Sequence, residues 1–147
     1  MKLARTIRFD PSDLNIFPTA ADEGEWAVVG TFCFAAMPPA NLTGKVKQAF
    51  SNGFLGCQSF GFSTLVSVVQ ARPKDVQTIT DHLANHFVDK FGAPSKVAAK
   101  DAISDEIEFM AELCDSHKTG TLLAIQRSWG DEGIKEVFRS LQKPARG

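Results

Sequence analysis

Glu106 is the residue whose place in the pattern most directly suggests chemistry. Residues 95–115 have a helical hydrophobic period, and a helical wheel places Glu106 inside a wide apolar sector. The other members of that sector are Ala99, Ala102, Ile103, Ile107, Phe109, Met110, Leu113 and Cys114. A carboxylate there must be paired, hydrogen-bonded or protonated, because isolated burial costs several kcal/mol. Arg5 and Arg127 are its candidate partners. Glu106 is therefore either half of a structural ion pair or a functional acid, assisted by one of these arginines or by His86.

Two histidines form a second candidate. His82 and His86 are spaced i, i+4 in "DHLANHF", so both rings can reach one point beside a helix. A metal site is geometrically possible if residues 114–117 of the next helix come close. No glutamate accompanies the pair in an HExxH arrangement, and His86 borders an apolar stripe as an ordinary amphipathic residue would. Both interpretations stay open.

The stretch "FLGCQSFGFSTLVSVV" at residues 54–69 offers Cys57 and Ser63 as nucleophiles. However, "GFSTL" has a leucine where a hydrolase elbow needs its second glycine, and no histidine lies nearby in sequence. The pattern favours packing: the glycines of this region, at 53, 56 and 61, allow close backbone approach, and Ser63 fills a tight spot.

Composition sets the class of protein. The chain has 147 residues, of which 44% are hydrophobic and 22% charged, with a net charge of −1. These values predict a single globular domain over residues 1–147, without the basic patch that binds nucleic acid. The alternating charged and apolar residues of "MKLARTIRFD" do not fit a signal peptide, so we expect no secretory leader. The sequence also shows no membrane-length apolar run and no phosphate loop, so we expect no membrane association and no cofactor. Three widely spaced cysteines (Cys33, Cys57, Cys114) predict free thiols and a cytoplasmic location.

Phenylalanine is unusually frequent. The chain has 12 Phe, 2 Trp and no Tyr, so its aromatic rings serve either the core or an apolar contact surface. The rings predicted to form a ligand or partner surface are Trp26, Phe32, Phe54, Phe60 and Phe62.

Hydrophobic periodicity predicts the order β-β-α-β-α-α-β-α. Strands are expected over 2–9, 25–35, 60–71 and 118–129, and helices near 44–50, over 73–91, over 95–115 and over 131–141. The predicted fold class is α+β: a two-layer sandwich with a mainly antiparallel four-stranded sheet covered by helices.

The segments "EGEWAVVGTFCFA", "FLGCQSFGFSTLV" and "ELCDSHKTGTLLAIQR" resemble a family of small, uncharacterised proteobacterial proteins. The resemblance transfers no functional residue. It implies an accessory protein, associated with a molybdenum or iron–sulfur redox enzyme.

Two functions follow from these observations. The first is a non-catalytic accessory or binding protein that associates with a protein partner or with itself as a homo-oligomer. The alternative is a small enzyme or ligand-binding domain that uses a buried Glu106 beside an aromatic pocket.

Overall fold

The frame of the fold is a β sheet, seen in a computed structural model that describes residues 1–8, 12–35, 37–91, 93 and 95–141. Its seven strands are β1 (Lys2–Ile7), β2 (Trp26–Val28), β3 (Phe54–Gly56), β4 (Phe62–Ser63), β5 (Leu65–Gln70), β6 (Leu122–Gly130) and β7 (Gly133–Leu141). They lie in the order β4-β3-β2-β1-β5-β6-β7, and every neighbouring pair is antiparallel.

Four α helices in the described residues complete the fold: α1 (Ser12–Ile16), α2 (Gly44–Asn52), α3 (Pro73–Phe91) and α4 (Lys96–Asp115). The predicted helices over 73–91 and 95–115 are confirmed. They pack against each other, and α4 also packs on β1 and β2. None of the described helices combines the length and apolar content needed to cross a membrane.

The sheet is strongly curled. Four strands separate β3 from β7, so in a flat sheet their residues would lie roughly 24 Å apart. Instead the ring centroids of Phe54 and Phe138, one on each of these strands, are 6.5 Å apart. Phe109 of α4 adds an edge-on contact to Phe138, at 6.0 Å. The sheet is thus a half-barrel, with α4 lying against its inner side.

The four-stranded sandwich predicted from sequence is therefore wrong. Residues 131–141 were expected to form a closing helix, but nine residues of β7 pair with β6. Apolar residues at 134, 137, 138 and 141 fit a helical period, yet the alternation of half-buried Ile134, Glu136 and Phe138 fits a strand equally well. Residues 133–141 form a strand because they pair with the whole length of β6.

Two other predicted strands have different bounds. The strand expected over 25–35 ends at Val28, because Gly30 adopts φ 83° and a 3₁₀ helix follows over Thr31–Phe34. The strand expected over 60–71 is divided into β4 and β5 at Thr64, whose N–H and hydroxyl donate to the buried carboxylate of Asp13 in α1. Residue 9, the predicted end of the first strand, lies outside the described residues.

Candidate functional site

A buried carboxylate fixes the loop that follows β3. Glu25, immediately before β2, is only 4% exposed. It accepts four hydrogen bonds of 2.6 to 2.9 Å, from the N–H groups of Asp22, Gln58 and Ser59 and from the Ser59 hydroxyl. Charge-assisted bonds of this kind are the strong ones, so the loop over 57–59 is held at a defined position on the end of the sheet.

Two glycines in this region are required because neighbouring atoms, of the backbone at Gly61 and of side chains at Gly56, leave no room for a Cβ. A Cβ at Gly61 would lie 2.5 Å from the carbonyl of Ala20, and one at Gly56 would lie 2.7 Å from Oε1 of Glu25. The predicted packing role of the glycines is confirmed at both positions.

Phe60 adopts a conformation that bulky residues rarely take. Its φ of 58° is the only positive value for a non-glycine residue within the described ranges. The left-handed region costs an L-residue about 1–2 kcal/mol. The ring of Phe60 stacks on His86 of α3, with centroids 3.8 Å apart and an interplanar angle of 3°. Strained residues of this kind concentrate at binding sites, because the surrounding structure must hold them in place.

Phe60 borders an apolar cavity of about 290 Å³, here called the Phe60 cavity. Its walls come from the loop, the 3₁₀ helix, α2, α3 and the strands β3 and β4. The lining residues are Pro18, Cys33, Phe34, Met37, Val46, Ala49, Leu55, Phe60, Phe62 and His86. Two of the predicted surface residues, Phe60 and Phe62, therefore come together at one site.

The Phe60 cavity is electrically neutral. Burial raises the pKa of the Cys33 thiol to about 12, although the nearby charge of Arg127 opposes this shift. Burial, followed by repulsion from Lys90, lowers the pKa of His86 below its ordinary 6.5. At neutral pH the thiol is protonated and the imidazole is uncharged.

Cys57 and Ser63, the two candidate nucleophiles, are buried. Cys57 is 1% exposed, and burial raises the pKa of its thiol far above the ordinary value. Ser63 is 2% exposed, and its hydroxyl lies 2.8 Å from the carbonyl oxygen of Leu65. The inert role predicted for this stretch agrees with both placements.

The two histidines make different contacts along one loop. Nδ1 of His82 lies 2.9 Å from the carbonyl oxygen of Cys57, whereas the His86 ring stacks on Phe60. Within the described part of the chain, no three His, Cys, Asp or Glu side chains are grouped so that they could hold a metal ion.

The other predicted surface rings are dispersed. Trp26 lies under the guanidinium of Arg5, 4.1 Å from its ring centroid, and lines a cavity of only about 50 Å³ with His82. Phe32 stacks on Phe87 of α3 at 4.9 Å. Phe54 is fully buried at 0% exposure, so it belongs to the core.

Arg127 is a buried cation that satisfies backbone carbonyls. Its guanidinium donates to the hydroxyl of Thr31 and to four carbonyl oxygens, those of Val29, Ala49, Phe50 and Gly53. Two of these carbonyls, those of Ala49 and Phe50, lie in the last turn of α2; the Ala49 carbonyl also accepts from the N–H of Gly53. Burial lowers the pKa of Arg127 to about 10. Arg127 thus joins β6 to the end of α2 and the segment after β2.

Glu106 is half-buried beside a second carboxylate. Burial, and then the like charge of Glu136, raise the pKa of Glu106 to about 7, while Arg127 and a backbone hydrogen bond from Gly30 oppose the shift. Oε1 of Glu106 and Oε2 of Glu136 are both buried without a hydrogen-bond partner. A protonated Glu106 relieves the repulsion between the two groups.

The ion pair predicted for Glu106 is not formed. Among the described residues, the salt bridge joins Arg72 to Asp75, and neither Arg5 nor Arg127 pairs with Glu106. Arg5 is exposed on β1 and donates to the carbonyl of Gly24, so it is not available as a partner of Glu106. Glu106 also lies outside the described lining of the Phe60 cavity.

Sequence reasoning missed three residues that shape this region: Glu25, Asp13 and Glu136. The hydrogen-bond partners of Glu25 and Asp13 in the 57–64 stretch lie 33 to 51 residues further along the chain, beyond any local pattern. Glu136 would have been found only with the correct assignment of β7, which places it opposite Arg127.

A curled antiparallel sheet that carries a helical hairpin defines an α+β domain, and its partly open apolar cavity is large enough for a small ligand. The chain belongs to the family of unknown function DUF6505, which it matches over residues 1–147. No curated protein and no solved structure matched the chain.

Proposed function

We propose that the protein is a non-catalytic binding protein and that a small, neutral, largely apolar molecule occupies the Phe60 cavity. The observation that carries the proposal is the strained wall of this cavity. Phe60 is held at φ 58° between a loop fixed by buried Glu25 and the ring of His86. An apolar pocket with a few convergent polar groups is the typical form of a small-molecule site.

The volume of the cavity limits the size of the ligand. A cavity of about 150 Å³ holds benzene, so the 290 Å³ of the Phe60 cavity accommodate about twelve non-hydrogen atoms. This is a molecule with two fused rings or a short branched chain.

The lining excludes a charged ligand. The thiol of Cys33 and the ring of His86 are uncharged at neutral pH for the reasons given above. The guanidinium carbon of Arg127 lies 5.4 Å from the ring centroid of Phe34. The N–H groups of Arg127 already donate to Thr31 and to backbone carbonyls. A carboxylate or ammonium held in this cavity would find no charged partner among the described lining residues, and its desolvation would cost several kcal/mol.

The state of the candidate catalytic groups supports binding over catalysis. Cys57 and Ser63 are buried, and Arg127 is used by the backbone. Glu106, whose pKa is raised to about 7, lies outside the described lining of the cavity.

The proposal is tested with two probes of similar shape, 2-naphthol and the 2-naphthoate anion, by isothermal titration calorimetry at pH 7. We expect 2-naphthol to bind with a Kd on the order of 10–100 µM. The anion should bind at least about tenfold more weakly, because nothing in the cavity compensates its charge.

A cavity-filling variant locates the binding. Val46→Phe adds a ring at a half-buried lining position of α2 and should reduce 2-naphthol affinity at least about tenfold. Val97→Phe is the matched control, because Val97 is 81% exposed and outside the cavity. Unchanged binding to Val46→Phe, or preference for the anion, contradicts the proposal.

The second candidate is a small enzyme or ligand-binding domain that uses Glu106. The raised pKa of Glu106 and its unpartnered Oε1 favour it. Under this alternative, Glu106→Gln abolishes ligand binding or turnover. The control variant Val97→Phe should bind and react as the wild type does. Under the first proposal, Glu106→Gln binds 2-naphthol as the wild type does.

The accessory role implied by the resemblance also stays a prediction. Native mass spectrometry of the purified protein tests whether it carries a small molecule or assembles with itself. Reconstitution with a purified molybdenum or iron–sulfur enzyme from the same host tests the association with redox enzymes.

A further inference from the structure

A groove runs between α3 and α4, away from the Phe60 cavity, and its described lining shares no residue with that cavity. Its volume is about 720 Å³. The lining residues are Met1, Lys2, Val76, Gln77, Thr80, Lys100, Ile103, Ser104, Ile107, Glu108, Ala111, Glu112 and Asp115.

The floor of the groove is an apolar stripe. Ile103, Ile107 and Ala111 follow each other at one-turn intervals on α4, and Val76 adds to them from α3. Ile103 and Ile107 are only 1% and 6% exposed, so the accessible apolar surface of the groove comes mainly from Ala111, Val76 and Met1. Met1 lies in the same groove with 63% of its surface exposed. The stripe continues to the C-terminal half of α4, and the lined segment from residue 103 to 115 is about 18 Å long.

The rim of the groove is acidic on one side. Glu108, Glu112 and Asp115 are exposed and stand at successive turns of α4. The α3 wall presents the uncharged side chains of Gln77 and Thr80. Two lysines complete the set of charged lining groups. Lys100 lies one turn before the apolar stripe, and Lys2 donates to the carbonyl of His117, two residues after Asp115, so the two lysines stand at opposite ends of the groove.

We infer that this groove binds an amphipathic α-helix of a partner protein, with Lys or Arg at one-turn intervals along one flank. Helices dock into such grooves through apolar side chains at i, i+3, i+4 and i+7. A row of cations one turn apart on the partner matches the spacing of the acidic rim. The charge complementarity sets the orientation of the helix and its rate of association.

The test uses two synthetic helical peptides of about four turns with the same apolar stripe. One carries lysine along one flank and the other carries glutamate at the same positions. We expect the lysine peptide to bind the full-length protein at least about tenfold more tightly at low salt, with an advantage that shrinks as salt rises. Circular dichroism should show a gain of helix on binding.

Charge reversal on the rim locates the site. Glu108→Lys/Glu112→Lys should reverse the preference between the two peptides. Asp101→Lys/Glu132→Lys is the matched control, since it reverses two exposed acids outside the groove and changes net charge by the same amount. The inference is overturned if the rim variant behaves like the control. It is also overturned if rim reversal dissociates a dimer of this chain, because the occupant is then a second copy. Neither outcome affects binding of 2-naphthol in the Phe60 cavity.

Discussion

The ring of Phe60 lies parallel to the imidazole of His86, with the two centroids 3.8 Å apart. This contact joins the loop after β3 to the middle of α3 and closes one wall of the Phe60 cavity. Three hydrogen bonds from Gln58 and Ser59 to the Glu25 carboxylate hold the loop from the other side. The wall of the cavity therefore depends on two long-range contacts, Phe60 with His86 and the loop with Glu25, which hold Phe60 in its strained conformation.

Phe60→Gly should be more stable than Phe60→Ala by about 1 kcal/mol, because both variants lose the stacked ring but only glycine accepts positive φ without cost. Urea denaturation measures the difference. The same pair of substitutions at exposed Gln58, whose φ is not positive, should give the opposite order or no difference. Equal stability of the two Phe60 variants would show that the left-handed conformation is not strained.

Glu25→Gln should destabilise the protein by about 1–3 kcal/mol, because the amide nitrogen cannot accept the hydrogen bonds that a carboxylate oxygen accepts. Thermal unfolding measures the loss, and exposed Glu23→Gln is the control. The loop should also loosen, so affinity for 2-naphthol should fall. A variant with normal stability and normal affinity would remove Glu25 as the anchor of the cavity.

Arg127→Lys should cost about 2–4 kcal/mol, because one ammonium group cannot reach acceptors on both sides of a planar guanidinium. Arg139→Lys on β7 is the matched control, since Arg139 is exposed. Chemical denaturation of both variants measures the free energies of unfolding that are compared. A similar stability for the two would mean that the carbonyls around Arg127 are satisfied in another way.

Glu106→Gln should stabilise the protein above pH 7 by about 1–3 kcal/mol and change little near pH 4. The folded-state pKa of Glu106 is raised from 4.5 to about 7, so the folded protein retains a proton that the unfolded chain has released. The free energy of unfolding therefore falls as pH rises between these two values and is level above them. Glutamine removes this dependence.

Denaturation of wild type and Glu106→Gln at pH 4, 6 and 8 measures the effect, with exposed Asp101→Asn as the control. Glu136→Gln should have part of the same effect, because it removes the like charge beside Glu106. A Glu106→Gln variant less stable than wild type at pH 8 would contradict the expected sign.

Local hydrophobic period predicted the two long helices, because α3 and α4 each keep one apolar face against neighbouring elements. The same method failed for β7, where the apolar positions satisfy a helical and an alternating pattern at once. β7 pairs with β6 as a hairpin across the two-residue turn at 131–132, and this partner is not visible in the hydrophobic period of residues 131–141 taken alone.

The site was predicted in part. The aromatic content of residues 54–62 pointed to Phe60 and Phe62, which do meet at the cavity, but not to the Glu25 carboxylate that fixes the loop. Arg127 was noticed as a partner for Glu106, whereas it bonds backbone carbonyls. Every residue has a backbone carbonyl oxygen, so the residue types in the sequence do not show which carbonyls a buried arginine will bind.

The position of Arg127 has a consequence for the order of folding. The carbonyls it satisfies belong to residues 74 to 98 positions earlier in the chain. Until synthesis has passed β6, the end of α2 and the segment after β2 lack their donor, and the first half of the protein is incomplete on the ribosome. Contacts of such long range form slowly. Closure of the half-barrel around this guanidinium is thus a late step, and a fragment that stops before residue 127 should not fold independently.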